Sequence, residues 1–98
     1  MTKKTYIRRV LISDIKKAST SSLYTKRISR AIHNIDTYPV EVLCKLGKAK
    51  KVTYQDKDNF YIYRVNNHER LLFSITNTHK LIHDLYDANE ISLLKRNQ

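Results

Sequence analysis

The sequence predicts an α+β domain: an N-terminal strand, one or two helices, an antiparallel β-meander and a short C-terminal helix. Three observations carry that reading. Ile28, Ala31, Ile32 and Ile35 recur at the i, i+3, i+4, i+7 spacing of a helix laid on a core. From residue 52 onward, β-branched and aromatic runs alternate with the turn-forming clusters "DKDN", "NNHE" and "NTHK". Ahead of both, "TYIRRVLI" reads as a strand over 5–12. With 98 residues and 41% hydrophobic content, the chain supports one domain with a modest core, spanning 1–98, and no deep two-lobed cleft.

The elements follow in order. After the first strand, "SDIKKA" offers Ser13 or Asp14 as an N-cap for a short helix with Ile15 and Ala18 on one face. "STSS" at 19–22 is poor helix interior and marks a break, with Ser21 or Ser22 capping a second helix from Leu23. That helix turns Lys26, Arg27, Arg30 and His33 away from its apolar stripe. It must stop before "TYP", because Pro39 disfavours helical geometry at Tyr38. "LGKAKKV" reads as a lysine-rich loop holding the only glycine, Gly47. The strands "VTYQ", "FYIYRV", "RLLFSI" and "KLIHDLY" then form the meander. In the last of these, Leu81, His83 and Leu85 are expected on one face, with Ile82, Asp84 and Tyr86 on the other. Asp87 with Glu90 forms a capping box for a terminal helix, with Ile91 and Leu94 facing inward.

Charge narrows the function. Nineteen Lys and Arg against nine Asp and Glu give a formal net charge of +10, which self-repels unless a polyanionic partner offsets it. Nucleic acid, the ribosome or an acidic protein fits that charge. A membrane surface does not, since no segment joins a long lysine-rich face to an aromatic one. No apolar run approaches the roughly 20 residues that span a bilayer, and "MTKK" leads into no h-region, so the expected location is the cytoplasm. One cysteine, Cys44, excludes an internal disulfide framework, and the four histidines lack metal-ligand spacing, so no metal is expected. A single glycine cannot build a phosphate-cradling loop, and no elbow is present for a nucleophilic serine, so no small-molecule cofactor is expected either.

The chemistry-bearing residues concentrate between Tyr63 and Ser92: Arg64, His68, Arg70, His79, Lys80 and His83. Cleavage of RNA by its own 2′-hydroxyl needs a base, a cation on the phosphate and an acid on the leaving oxygen. His68, His79 and His83 are candidates for proton transfer, since histidine titrates near neutrality. Arg70 and Lys80 are candidates for holding phosphate. The plain alternatives are solvated turn residues for His68 and His79, and a half-buried, hydrogen-bonded strand histidine for His83. Most of the seven tyrosines are expected in the packing, with Tyr61 or Tyr63 as the candidates for base stacking.

The stretches "AIHNIDTYPVEVLCKLGKAKKV", "YIYRVNNHERLLFSI" and "LIHDLYDANEIS" together resemble the RelE/ParE toxin superfamily. The resemblance lies in the helix ending before a proline, the "CKLGK" element, and the "YRV" and "ERLLFSI" strand pair. It implies a RelE-like fold and a metal-independent endoribonuclease that cuts mRNA on the ribosome under the control of an acidic antitoxin. It also implies that Arg70 and Arg64 hold phosphate; from the residues themselves, His83 or Lys80 of the last strand is expected nearby. The last family element departs: Tyr86 stands for a glycine, Asp87 and Ala88 for a His-Arg pair, and Ser92 for a tyrosine. An inert nucleic-acid-binding module, or an inhibitor of gyrase or another protein, is therefore the alternative. A plain nucleic-acid-binding regulator rests on charge alone. For nucleic-acid contact, Lys26, Arg27 and Arg30 are expected to flank one groove with Lys48, Lys50 and Lys51.

Overall fold

A computed structural model describes residues 3–8 and 22–87. Residues 9–12 of the expected first strand, the expected helix over 13–18 and the helix expected beyond Asp87 lie outside that range. The described elements are β1 (Lys4–Ile7), α1 (Ser22–Thr37), α2 (Val40–Lys45), β2 (Ala49–Tyr54), β3 (Lys57–Arg64), β4 (Glu69–Ile75) and β5 (His79–Asp87). The strands form one sheet in the order β1-β5-β4-β3-β2. Strands β2 to β5 pair antiparallel, as expected of a meander, and β1 closes the sheet by pairing parallel with β5.

α1 docks by its expected stripe. Ile28, Ala31 and Ile35 are buried and Ile32 half-buried, while Lys26, Arg27, Arg30 and His33 face solvent. Beneath it Leu71, Phe73, Ile82 and Tyr63 meet Leu43 of α2. Each large apolar side chain so buried contributes about 1.5–3 kcal/mol. Tyr63 is 4% exposed, and its hydroxyl accepts a 2.8 Å bond from Asn34 Nδ2 of α1. Tyr61 stacks on Phe73 with ring centroids 5.6 Å apart. Neither of these tyrosines is free to stack on a base; among the described residues the exposed ones are Tyr6 and Tyr38.

The structure corrects four local expectations. α1 ends at Thr37, one residue into "TYP", and Pro39 then sits at the N-cap of α2, a helix the sequence pattern did not suggest. The segment read as a lysine-rich loop is largely the edge strand β2, and lysines on an edge strand discourage further pairing. The turn expected at "DKDN" falls at Gln55 and Asp56, which have φ of 51° and 62°. In β5 the alternation breaks: Leu72 pairs with Asp84 but Phe73 with Ile82, so His83 is the extra residue of a bulge. Ile82 and Leu85 consequently share the helix-facing core, and Tyr86 joins Phe60, Ile62 and Leu72 on the opposite face.

Candidate nucleic-acid interface

Three local devices gather cations at one end of the sheet. The first is the end of α2. Gly47, at φ 73°, closes it with the Gly47 N–H bonded to Cys44 O at 3.1 Å and the Lys48 N–H to Leu43 O at 2.9 Å. This double bond is the Schellman stop, which favours glycine because other residues resist positive φ. The second is a bridge from that stop to β3, where the Arg64 N–H donates to Lys48 O at 2.9 Å. The third is the β3–β4 turn, in which Asn66 Oδ1 accepts from the N–H groups of His68 (2.7 Å) and Glu69 (2.9 Å). An asparagine side chain standing in for a backbone acceptor fixes such a turn.

Arg64 and Arg70 are direct cross-strand partners. Bare guanidiniums so placed repel. The β3–β4 turn gives each its own acceptors. Arg64 Nη2 donates to Asn67 Oδ1, Arg70 Nη1 donates to Asn66 O and to Glu69 O at 3.0 Å, and Glu69 Oε1 accepts from Asn66 Nδ2. A guanidinium has five N–H donors, so both arginines keep donors for an incoming anion.

Two adjoining cavities result. One, of about 610 Å³, is lined by Arg27, Lys48, Arg64 and His68 with Leu46 and the turn asparagines. The other, of about 240 Å³, is lined by Lys48, Lys50, Arg64 and Arg70 over Ile62. No carboxylate or tyrosine lines either among the described residues. Arg27, Lys48, Lys50, Arg64 and Arg70 are thus brought together, and His68 joins them.

The other candidates lie elsewhere. Lys26 and Arg30 are exposed on α1 but line neither cavity, and Lys51 faces the helix side of the sheet, where it lines a different cavity. Lys80 pairs with Ile75, five residues along β4 from Arg70, and is 7% exposed. Its Nζ donates to Ile35 O at 2.6 Å and Tyr38 O at 3.0 Å, where α1 ends. Burial pulls its pKa below the ordinary lysine value, against the nearby Asp36 and Glu41. His83 lies on the arginines' face but beyond Leu72. Its Nε2 is 2.8 Å from Ser74 Oγ, and its ring packs on Phe60 at 5.0 Å. Burial first, then the charge of Arg8, lowers its pKa. His79 lies in the β4–β5 turn with Thr76 and Thr78. Neither Lys80 nor His83 reaches the arginine pair. Among the described residues no three His, Cys, Asp or Glu side chains approach closely enough to hold a metal ion, and no helix is long and apolar enough to cross a membrane.

This arrangement of sheet and helices is the RelE-like toxin fold. The chain is similar to the archaeal RelE–RelB complex from Pyrococcus horikoshii OT3, with TM-score 0.65, 15% identity, and 89% of this chain and 96% of that one covered. Against the E. coli DinJ–YafQ toxin–antitoxin complex the TM-score is 0.67 at 9% identity, covering 93% and 98%. Against the YoeB dimer from Staphylococcus aureus it is 0.58 at 14% identity, covering 88% and 97%. No family model matches the chain, and no curated protein matches it in sequence.

Proposed function

We propose that the chain is a RelE-type toxin that binds RNA through the paired basic cavities, cleaves mRNA on the ribosome, and is held in check by an acidic antitoxin-like partner in the cytoplasm. The observation that carries this reading is the convergence of Arg27, Lys48, Lys50, Arg64 and Arg70 around adjoining cavities with no carboxylate among them. Such a surface suits successive phosphates of a single strand. The same density of positive charge suits an acidic segment that covers it when the toxin is silent. The neighbouring RelE and YafQ structures are toxin–antitoxin complexes, which supports that pairing.

Cleavage by the 2′-hydroxyl would form a 2′,3′-cyclic phosphate and free a 5′-hydroxyl. Arg64, Lys48 and Arg70 would stabilise the charge that builds on the phosphate, and His68 would move a proton. A second reading, a non-cleaving RNA binder, is favoured by one observation: among the described residues His68 is the only imidazole lining the two cavities, and no carboxyl group lines them as a second proton-transfer partner. An RNA-cleavage assay with and without ribosomes separates the two. Cleavage lost in His68→Gln supports the enzyme, binding without cleavage supports the second reading, and absence of RNA binding sinks both.

A further inference from the structure

A further cavity, of about 390 Å³, opens on the helix side of the sheet where α1 gives way to α2. Lys80 is among the residues lining it, with an ammonium group that is an anomaly. The residue is 7% exposed, yet the described residues give it two carbonyl partners and no carboxylate within ion-pair reach. Buried charges are normally paired, because an isolated one is costly to desolvate. An ammonium has three donors, so one remains beyond the bonds to Ile35 O and Tyr38 O.

We propose that this cavity binds a carboxylate on a short apolar stem, with the carboxylate on the third Lys80 donor and the stem against Val40, Tyr61 and Ile75. Lys51 and Lys3 on the rim add positive charge, while Glu41 and Asp58, also on the rim, disfavour a dianion. A singly charged carboxylate fits that balance and phosphate does not. The site is separate from the basic cavities at the Arg64 end and stands whether or not those bind RNA. Its ligand is either a free short-chain acid or the side chain of a Glu in a partner segment, which share this chemistry.

The test uses the full ¹⁵N-labelled chain at constant ionic strength, titrated with butyrate, butyramide, inorganic phosphate and the blocked peptide acetyl-Leu-Glu-Leu-amide. Butyrate should shift the amides of Val40, Tyr61 and Ile75 with millimolar saturation, as suits so small a ligand. It should also raise the pH midpoint of the Lys80 ammonium resonance, since a nearby anion favours the charged form. Butyramide and phosphate should leave these signals in place. Binding of the peptide more tightly than butyrate identifies a partner's Glu as the source; the reverse order identifies a free acid. Lys80→Met, which keeps the apolar stem, should weaken butyrate at least tenfold. Because that change also removes the bonds to Ile35 O and Tyr38 O at the end of α1, the ammonium resonance of the unaltered protein serves as the independent reading. An unsaturating response to butyrate, an equal response to butyramide or phosphate, an unmoved Lys80 midpoint, or unchanged affinity in a folded Lys80→Met variant would overturn the proposal.

Discussion

Replacing Arg64 by alanine separates binding from folding. The side chain is exposed, and among the described residues its one bond to another side chain goes to Asn67 in the same turn. Its cross-strand neighbour is another guanidinium, so its loss also relieves a like-charge contact. Those effects are small and opposed, leaving stability within about 0.5 kcal/mol, or about 2–4 °C in the melting midpoint of a chain this size. Binding should respond differently. If all five cations of the two cavities neutralise phosphates of single-stranded RNA, log K should fall against log salt with a slope of about −3.5. Removing one contact should leave a slope of about −2.8. Fluorescence anisotropy of a labelled RNA across about 50 to 200 mM salt measures both slopes. An unchanged slope in a variant that melts normally would refute the assignment of Arg64 to phosphate. A fall in melting temperature beyond about 8 °C would show that the arginine holds the turn.

Arg70→Ala should cost more stability than Arg64→Ala, about 1–2 kcal/mol by urea denaturation, because it removes two bonds to turn carbonyls from a half-buried guanidinium. Equal costs would show those bonds to be replaced by water. Gly47→Ala meets no atom within 4 Å, so its cost is backbone strain alone, about 1 kcal/mol, with RNA affinity falling as Lys48 shifts; Gly47→Asn should be milder. His83 has a folded-state pKa below its ordinary value. The unfolded chain therefore takes the proton first, and stability should fall as pH drops below about 6.5. The charged neighbours are Arg8, Lys57 and Asp84, of which only Asp84 opposes that shift. His83→Gln should flatten the dependence between about pH 7 and 5 in denaturant melts.

Much of the fold was legible because its signals are periodic and local. The stripe Ile28, Ala31, Ile32, Ile35 needs one helix and one core to explain it, and "NNHE" between two apolar runs needs one turn. The pairing of Arg64 with Arg70 follows from that turn's length. What escaped were features set by distant partners. α2 has only Leu43 fully buried, too short a pattern to register, although Pro39 before it, Glu41 in its first turn, Lys45 in its last and Gly47 beyond it are start and stop signals. Lys80 reads as a phosphate ligand by charge, and nothing local reveals that its ammonium bonds to carbonyls 42 and 45 residues away. The bulge at His83 defeats any reading of β5 by alternation. His68 is a proton-transfer candidate in the sequence, but that Lys48 and Arg27 arrive beside it from other elements is visible only in the fold.

The most direct test of the RNA surface is an amide footprint. A short single-stranded RNA titrated into the ¹⁵N-labelled protein should shift Gly47, Lys48, Lys50 and the 64–70 turn, and leave Lys26, Arg30, Lys51 and Lys80 unmoved. Shifts concentrated on Lys26, Arg30 and Lys51, with the 64–70 turn silent, would contradict the account.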